Sequence, residues 1–111
     1  MWQQPISPAR RFNSRVETPD VWVYWRCGGH DDTSRVRNLG PGGLFIETRC
    51  TKVVGAQTQV EFLVQEGQIR ADAVVRHVNP GRGVGLKFRA VKEVDRPHLA
   101  ALLNRLRRSS E

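Results

Sequence analysis

The sequence predicts an all-β fold, a six-stranded antiparallel barrel followed by a C-terminal α-helix. Three observations predict it. Apolar and polar residues alternate in DVWVYWRC (20–27), TQVEFLVQ (58–65) and IRADAVVRHV (69–78), as strands with one buried face require. Gly- and Pro-containing turns separate short segments of this kind along the whole middle of the chain. After residue 95 the period changes: Leu99, Leu102, Leu103 and Leu106 fall at i, i+3, i+4 and i+7, the apolar stripe of a helix.

Taken in order, residues 1–9, with Pro5 and Pro8, read as a flexible lead-in, and residues 10–111 as a single domain. A chain of 111 residues supports one core and not two. The first strand, 20–27, turns Val21, Val23, Trp25 and Cys27 to one face and Trp22, Tyr24 and Arg26 to the other. The outward aromatic is expected to cover the barrel end beneath the helix. CGGHDD then reads as a turn-rich break in which Asp31 and Asp32 bond the backbone. A second strand is expected over SRVRNL (34–39) and a third over LFIET (44–48), with NLGPGG between them.

The fourth strand, 58–65, faces Val60, Phe62 and Val64 inward, and Glu66-Gly67 turns it into a fifth, 69–78. Ile69, Ala71, Ala73 and Val75 share that strand's inner face. NPGRG leads to a sixth strand, VGLKF (84–88), where Val84, Leu86 and Phe88 repeat the alternation. The helix is expected over 95–107, with Asp95 as a cap and Pro97 in the first turn, where its missing N–H costs nothing.

Composition narrows the function classes. With 39% hydrophobic and 26% charged residues and no run of about 20 apolar residues, the chain is globular and does not insert in a membrane. MWQQPISPAR lacks the apolar stretch of a signal peptide, so the cytoplasm is the expected location. Cys27 and Cys50 form no CxxC and read as reduced, packed thiols. His30, His77, His98, Asp31, Asp32 and the two cysteines match no metal-ligand spacing, so no metal is expected. Glu17 and Asp20 have no nucleophile or histidine placed by sequence to work with, and nothing argues for an enzyme. The net charge of +7 favours an anionic partner without choosing one. No interleaved basic and aromatic platform marks a single-strand binder, so nucleic acid is disfavoured.

Two segments remain that the fold alone does not demand. NLGPGG (38–43) places three glycines and Pro41 before a strand, which suits a tight turn and equally leaves backbone N–H groups bare beside the Asn38 amide. It is no dinucleotide fingerprint, because β-branched and aromatic residues follow instead of a helix. RRFNSR (10–15) gathers Arg10, Arg11 and Arg15, whose planar guanidinium forks suit phosphate oxygens and stack on bases.

Together, Arg11-x-x-x-Arg15 and Asn38-x-Gly40-x-x-Gly43 resemble the RxxxR and D/N-x-S-x-x-G motifs of the PilZ domain family, over nearly the whole chain. The resemblance implies a PilZ-like six-stranded β-barrel that binds the bacterial second messenger cyclic di-GMP, as one molecule or a stacked pair, without a resident cofactor. By position, Arg11 and Arg15 would grip phosphate and stack on guanine, and Arg10 would assist. Asn38 would read a guanine edge, and Gly43 would let the base approach the backbone. Gly40 stands where the family has serine, which removes one hydroxyl. The ordered arm would be presented to an effector protein; the alternative is an adaptor that has lost nucleotide binding. The exposed face of the C-terminal helix leaves room for a homodimer.

Overall fold

The computed structural model describes residues 16–18, 20–49 and 52–110. Seven strands precede the helix: β1 (Val16–Glu17), β2 (Trp22–Cys27), β3 (His30–Gly40), β4 (Gly43–Glu47), β5 (Gln57–Leu63), β6 (Ile69–Asn79) and β7 (Gly83–Val91). All pairings are antiparallel, in the order β3-β2-β5-β6-β7-β4, and β3 pairs again with β4. These six strands therefore form a closed barrel, as the alternation predicts. The short β1 lies beside β3, with Val16 opposite Leu39 and Glu17 opposite Asn38.

The barrel consists of two three-stranded meanders, β2-β3-β4 and β5-β6-β7, joined along β2–β5 and β4–β7. Its interior takes the side chains the period-two pattern selects, among them Val23, Trp25, Leu39, Leu44, Ile46, Phe62, Ile69, Val75 and Leu86. Trp25 is fully buried, and its indole N–H donates to the Ser34 hydroxyl at 2.8 Å, so the one polar atom of the largest core residue is satisfied. Trp22 instead faces outward, 47% exposed, on the barrel wall.

Two further sequence expectations are corrected. CGGHDD is not a broad break: Gly28 and Gly29 alone make the turn, both with positive φ (59° and 81°), and β3 resumes at His30. Two left-handed residues match the twist of a two-residue hairpin, so no further turn residues are needed. Asp31 and Asp32 are accordingly strand residues; the Tyr24 hydroxyl donates to Asp31 at 2.5 Å, and the Thr33 N–H to Asp32 at 2.8 Å. The second correction concerns the helix, which runs Arg96–Ser110 (α1) behind a 3₁₀ turn at Glu93–Asp95.

Asp95 is buried in that 3₁₀ turn, and its carboxylate accepts the Arg70 backbone N–H at 3.0 Å and the Arg70 guanidinium at 2.9 and 3.3 Å. The helix start is thereby fastened to β6. Leu99, Leu102, Leu103 and Leu106 are buried as the stripe predicts, and each is worth about 1.5–3 kcal/mol on burial. Arg105 pairs with Glu66, and His98 Nδ1 meets the Gln68 carbonyl at 2.8 Å, so the β5–β6 turn is clamped to the same helix.

These clamps carry a pH prediction. The Arg70 hydrogen bonds hold the Asp95 carboxyl below its ordinary value, against the opposing effect of burial, and Arg105 does the same for Glu66. In the unfolded chain both groups protonate near their ordinary values, about 3.9 and 4.3. Their stabilisation is therefore complete above that range and is lost as pH falls through it toward the lower folded values. Thermal melts are expected to be flat from these groups between about pH 6 and 8 and to drop below about pH 4. Asp95→Asn should lower Tm by a few degrees at neutral pH and blunt the acid drop.

Candidate functional site

The NLGPGG segment is the hairpin between β3 and β4. Gly40 pairs with Gly43 across it, and Pro41-Gly42 form an exposed two-residue turn. Leu39 is fully buried, and by strand alternation Asn38 and Gly40 lie on the opposite face from it, Asn38 half-buried and Gly40 buried. The Gly42 carbonyl accepts the Phe88 N–H at 2.9 Å, which ties the turn to β7. Gly43 is buried, and a Cβ there would overlap the Leu86 carbonyl oxygen. Its glycine is thus explained by the close approach of β4 and β7, independently of any ligand.

The register reveals what surrounds Asn38. It stands opposite Phe45, Phe45 opposite Gly85, and Gly85 opposite His77, a single outward row across β3, β4, β7 and β6. The Phe45 ring lies over the glycines of β7: a Cβ at Gly83 would sit 2.6 Å from its Cε1, and one at Gly85 3.8 Å from its Cδ2. Absent side chains on β7 let the ring lie close against backbone. The register also slips between Val36 and Asn38 on β3 and between Val75 and His77 on β6. Each bulge inserts one extra residue, Arg37 and Arg76, and both are exposed. An arginine is therefore delivered beside each end of the row.

Two open clefts lie along these strands, and the ring borders the first. One, of about 450 Å³, is lined by Gly42, Gly43, Phe45, Arg76, His77 and Lys87. The other, of about 390 Å³, is lined by Arg37, Glu47, Arg49 and Arg82, with Arg37 3.6 Å from Glu47. A flat aromatic surface, an amide at its edge and cations on both sides suit a planar base carrying phosphates. Larger clefts of about 540 and 600 Å³ lie on the far side of the barrel, around Tyr24, Arg26, Gln59 and Asp72, and contain no residue of the hairpin motif.

Of the residues singled out in the sequence, Asn38, Gly40 and Gly43 come together on the hairpin. Arg10, Arg11 and Arg15 lie outside the described residues, as does Cys50. β1 begins at Val16, the residue after Arg15, and runs beside Leu39 and Asn38, so the chain enters the barrel alongside the motif. Sequence reasoning missed Phe45, Arg76, His77 and Lys87. The Gly-Val-Gly of β7 was the available signal, but reading it requires the cross-strand register and both bulges.

Cys27 is a free, buried thiol, and among the described residues no three His, Cys, Asp or Glu side chains gather as metal ligands would. No described helix is long and apolar enough to cross a membrane.

The structure is thus a closed six-stranded barrel with a glycine hairpin and exposed arginines on its outer wall. The chain belongs to the PilZ domain family, whose model matches residues 9–105. No curated protein matches the chain. PilZ domains are generally non-catalytic signalling or adaptor modules, and their fold class is one that binds cyclic di-GMP.

Proposed function

We propose that this domain is a cytoplasmic cyclic di-GMP receptor without catalytic activity. The observation that carries the reading is the meeting of Asn38 and Gly40 on the outer wall with the strand that directly follows Arg15. The arm Arg10–Arg15 closes over a dinucleotide seated on the hairpin, its guanidinium groups on phosphate and guanine, while Asn38 takes a guanine edge. Phe45 and His77 extend the surface toward Arg76 and Lys87, which leaves space for one nucleotide or a stacked pair. Ordering the arm is the signal, and an effector protein reads it.

Gly40 supports a second reading, an adaptor that no longer takes nucleotide. The missing serine hydroxyl removes one hydrogen bond, worth about 0.5–1.5 kcal/mol net, or up to about tenfold in affinity. That loss weakens the site without dismantling it.

Titration with cyclic di-GMP, beside GTP and a short single-stranded DNA, tests both readings. Cyclic di-GMP is expected to bind tightest, with affinity falling only moderately as salt rises, because a compact ligand releases few counterions. Tighter DNA binding with a steep salt slope would overturn the receptor reading in favour of a nucleic-acid binder. A folded protein that binds none of the three leaves the adaptor.

A further inference from the structure

The adjoining wall, on the β2–β5 side of β3, carries a different chemistry. On the outer face of β2 and β5, Trp22 stands across from Leu63, and they are 47% and 54% exposed. Arg35 of β3 flanks Trp22 on the other side, and Tyr24 with Glu61 forms the next outward row. A tryptophan, a tyrosine and an arginine, the residue types enriched in protein-binding hot spots, stand around an exposed leucine.

The charges around it are unevenly satisfied. Asp31 accepts the Tyr24 hydroxyl, to which Arg26 also donates at 3.4 Å. Glu61 accepts from Gln68 at 3.0 Å, Arg70 is held by Asp95, and Asp20 acts on Arg105 of the helix. Asp72 lies two rows from Trp22. Arg35 has no carboxylate partner among the described residues, although it is exposed beside the apolar pair. The patch therefore has an apolar centre and, among the described residues, an unanswered positive charge at its edge. A net charge of +7 sets two copies of this chain against each other and favours an acidic partner.

We infer that the Trp22–Leu63–Arg35 face is a docking surface for another protein, one that presents a short segment with an apolar or aromatic side chain beside a carboxylate. The apolar group covers Trp22 and Leu63, and the carboxylate pairs with Arg35. Position strengthens the assignment: the N-terminal arm leads into β1, and β2 is the next strand after it. The Thr18 hydroxyl donates to the Val36 carbonyl and the Val36 N–H to the Val21 carbonyl at 2.8 Å, so Thr18 and Val21, which precede Trp22, are both fixed to β3. The surface stands whether or not the hairpin takes nucleotide.

The test is selection of a random dodecapeptide library on the immobilised full chain. Peptides rich in Asp or Glu beside Leu, Phe or Trp are expected. Their affinity should fall at least tenfold on Arg35→Glu and on Leu63→Ser. Arg108→Glu, the same charge change on the exposed last turn of the helix, should change it less than twofold. Circular dichroism melts check that each variant is folded. Peptides that respond equally to Arg35→Glu and Arg108→Glu report only the overall charge and overturn the proposal, as does a selection that enriches nothing or enriches basic peptides. Concentration-dependent self-association abolished by Trp22→Ala would assign the face to a second copy of this chain and overturn it as well.

Discussion

Gly43→Ala is expected to destabilise the barrel by about 3 kcal/mol or more, at the upper end of what an overpacked core position costs. The added methyl would overlap the Leu86 carbonyl oxygen and approach the Lys87 Cα at 3.1 Å, both backbone atoms that no rotamer change can move. Relief requires β4 and β7 to part, and that seam carries the pairings from Gly43–Lys87 to Glu47–Gly83. In a domain of this size Tm should fall by roughly 15 °C. Gly42→Ala is the matched control, since a Cβ there meets nothing within 4 Å and the residue is not left-handed. Its melt should stay within about 0.5 kcal/mol of the parent, as for other surface substitutions. Equal melts for the two variants would refute the packing account of Gly43. If the account holds, Gly43 variants cannot be read as probes of ligand binding.

The second large effect concerns affinity. Arg11→Ala and Arg15→Ala each remove a charge-assisted contact worth roughly 1.5–3 kcal/mol, so cyclic di-GMP should bind about tenfold to a hundredfold more weakly. Both residues precede the barrel's first strand, and melting temperatures should barely change. Gly40→Ser runs the other way. Gly40 sits in β3 opposite Gly43, outside the set of left-handed glycines, so its φ suits serine. On the outer face beside Asn38, the restored hydroxyl should hold or improve affinity. Isothermal titration of the three variants decides. Binding created only by Gly40→Ser would identify a lapsed receptor and favour the adaptor. A folded protein that binds in neither form would end the nucleotide reading and leave the arginines to another acidic partner.

Much of this architecture is legible in the sequence because burial and strand geometry share a period. Val21, Val23, Trp25 and Cys27 alternate, and all four are inside; Leu99, Leu102, Leu103 and Leu106 follow a helical period, and all four pack on the barrel. Asn38, Gly40 and Gly43 are found together because a hairpin preserves sequence proximity. The extent of β3 was not legible, since His30, Asp31 and Asp32 are turn-favouring residues that become strand only because Gly28-Gly29 complete the reversal alone. Asp95 looked like a helix cap because its partner, Arg70, is distant in the chain. Phe45 and His77 were hidden for the same reason. Nothing local places them in one row, and the bulges at Arg37 and Arg76 that aim the flanking cations have no signature in the residues that make them.

The division of the barrel into two meanders has a kinetic consequence. Within each meander every pairing is a hairpin closed by a short turn, the kind of contact that forms in about 1–10 μs. The seams are non-local: β2–β5 and β4–β7 join residues from Cys27–Thr58, 31 apart, to Gly43–Lys87, 44 apart. Loop closure must be met before such contacts reward it, which places barrels of this kind in the ms–s regime. Asn38 and Phe45 belong to one meander, Gly85 and His77 to the other. The outward row that flanks the hairpin is therefore assembled only when the seams close, at the slowest step of folding, and a nascent chain holding just the first meander carries the motif without the surface beside it.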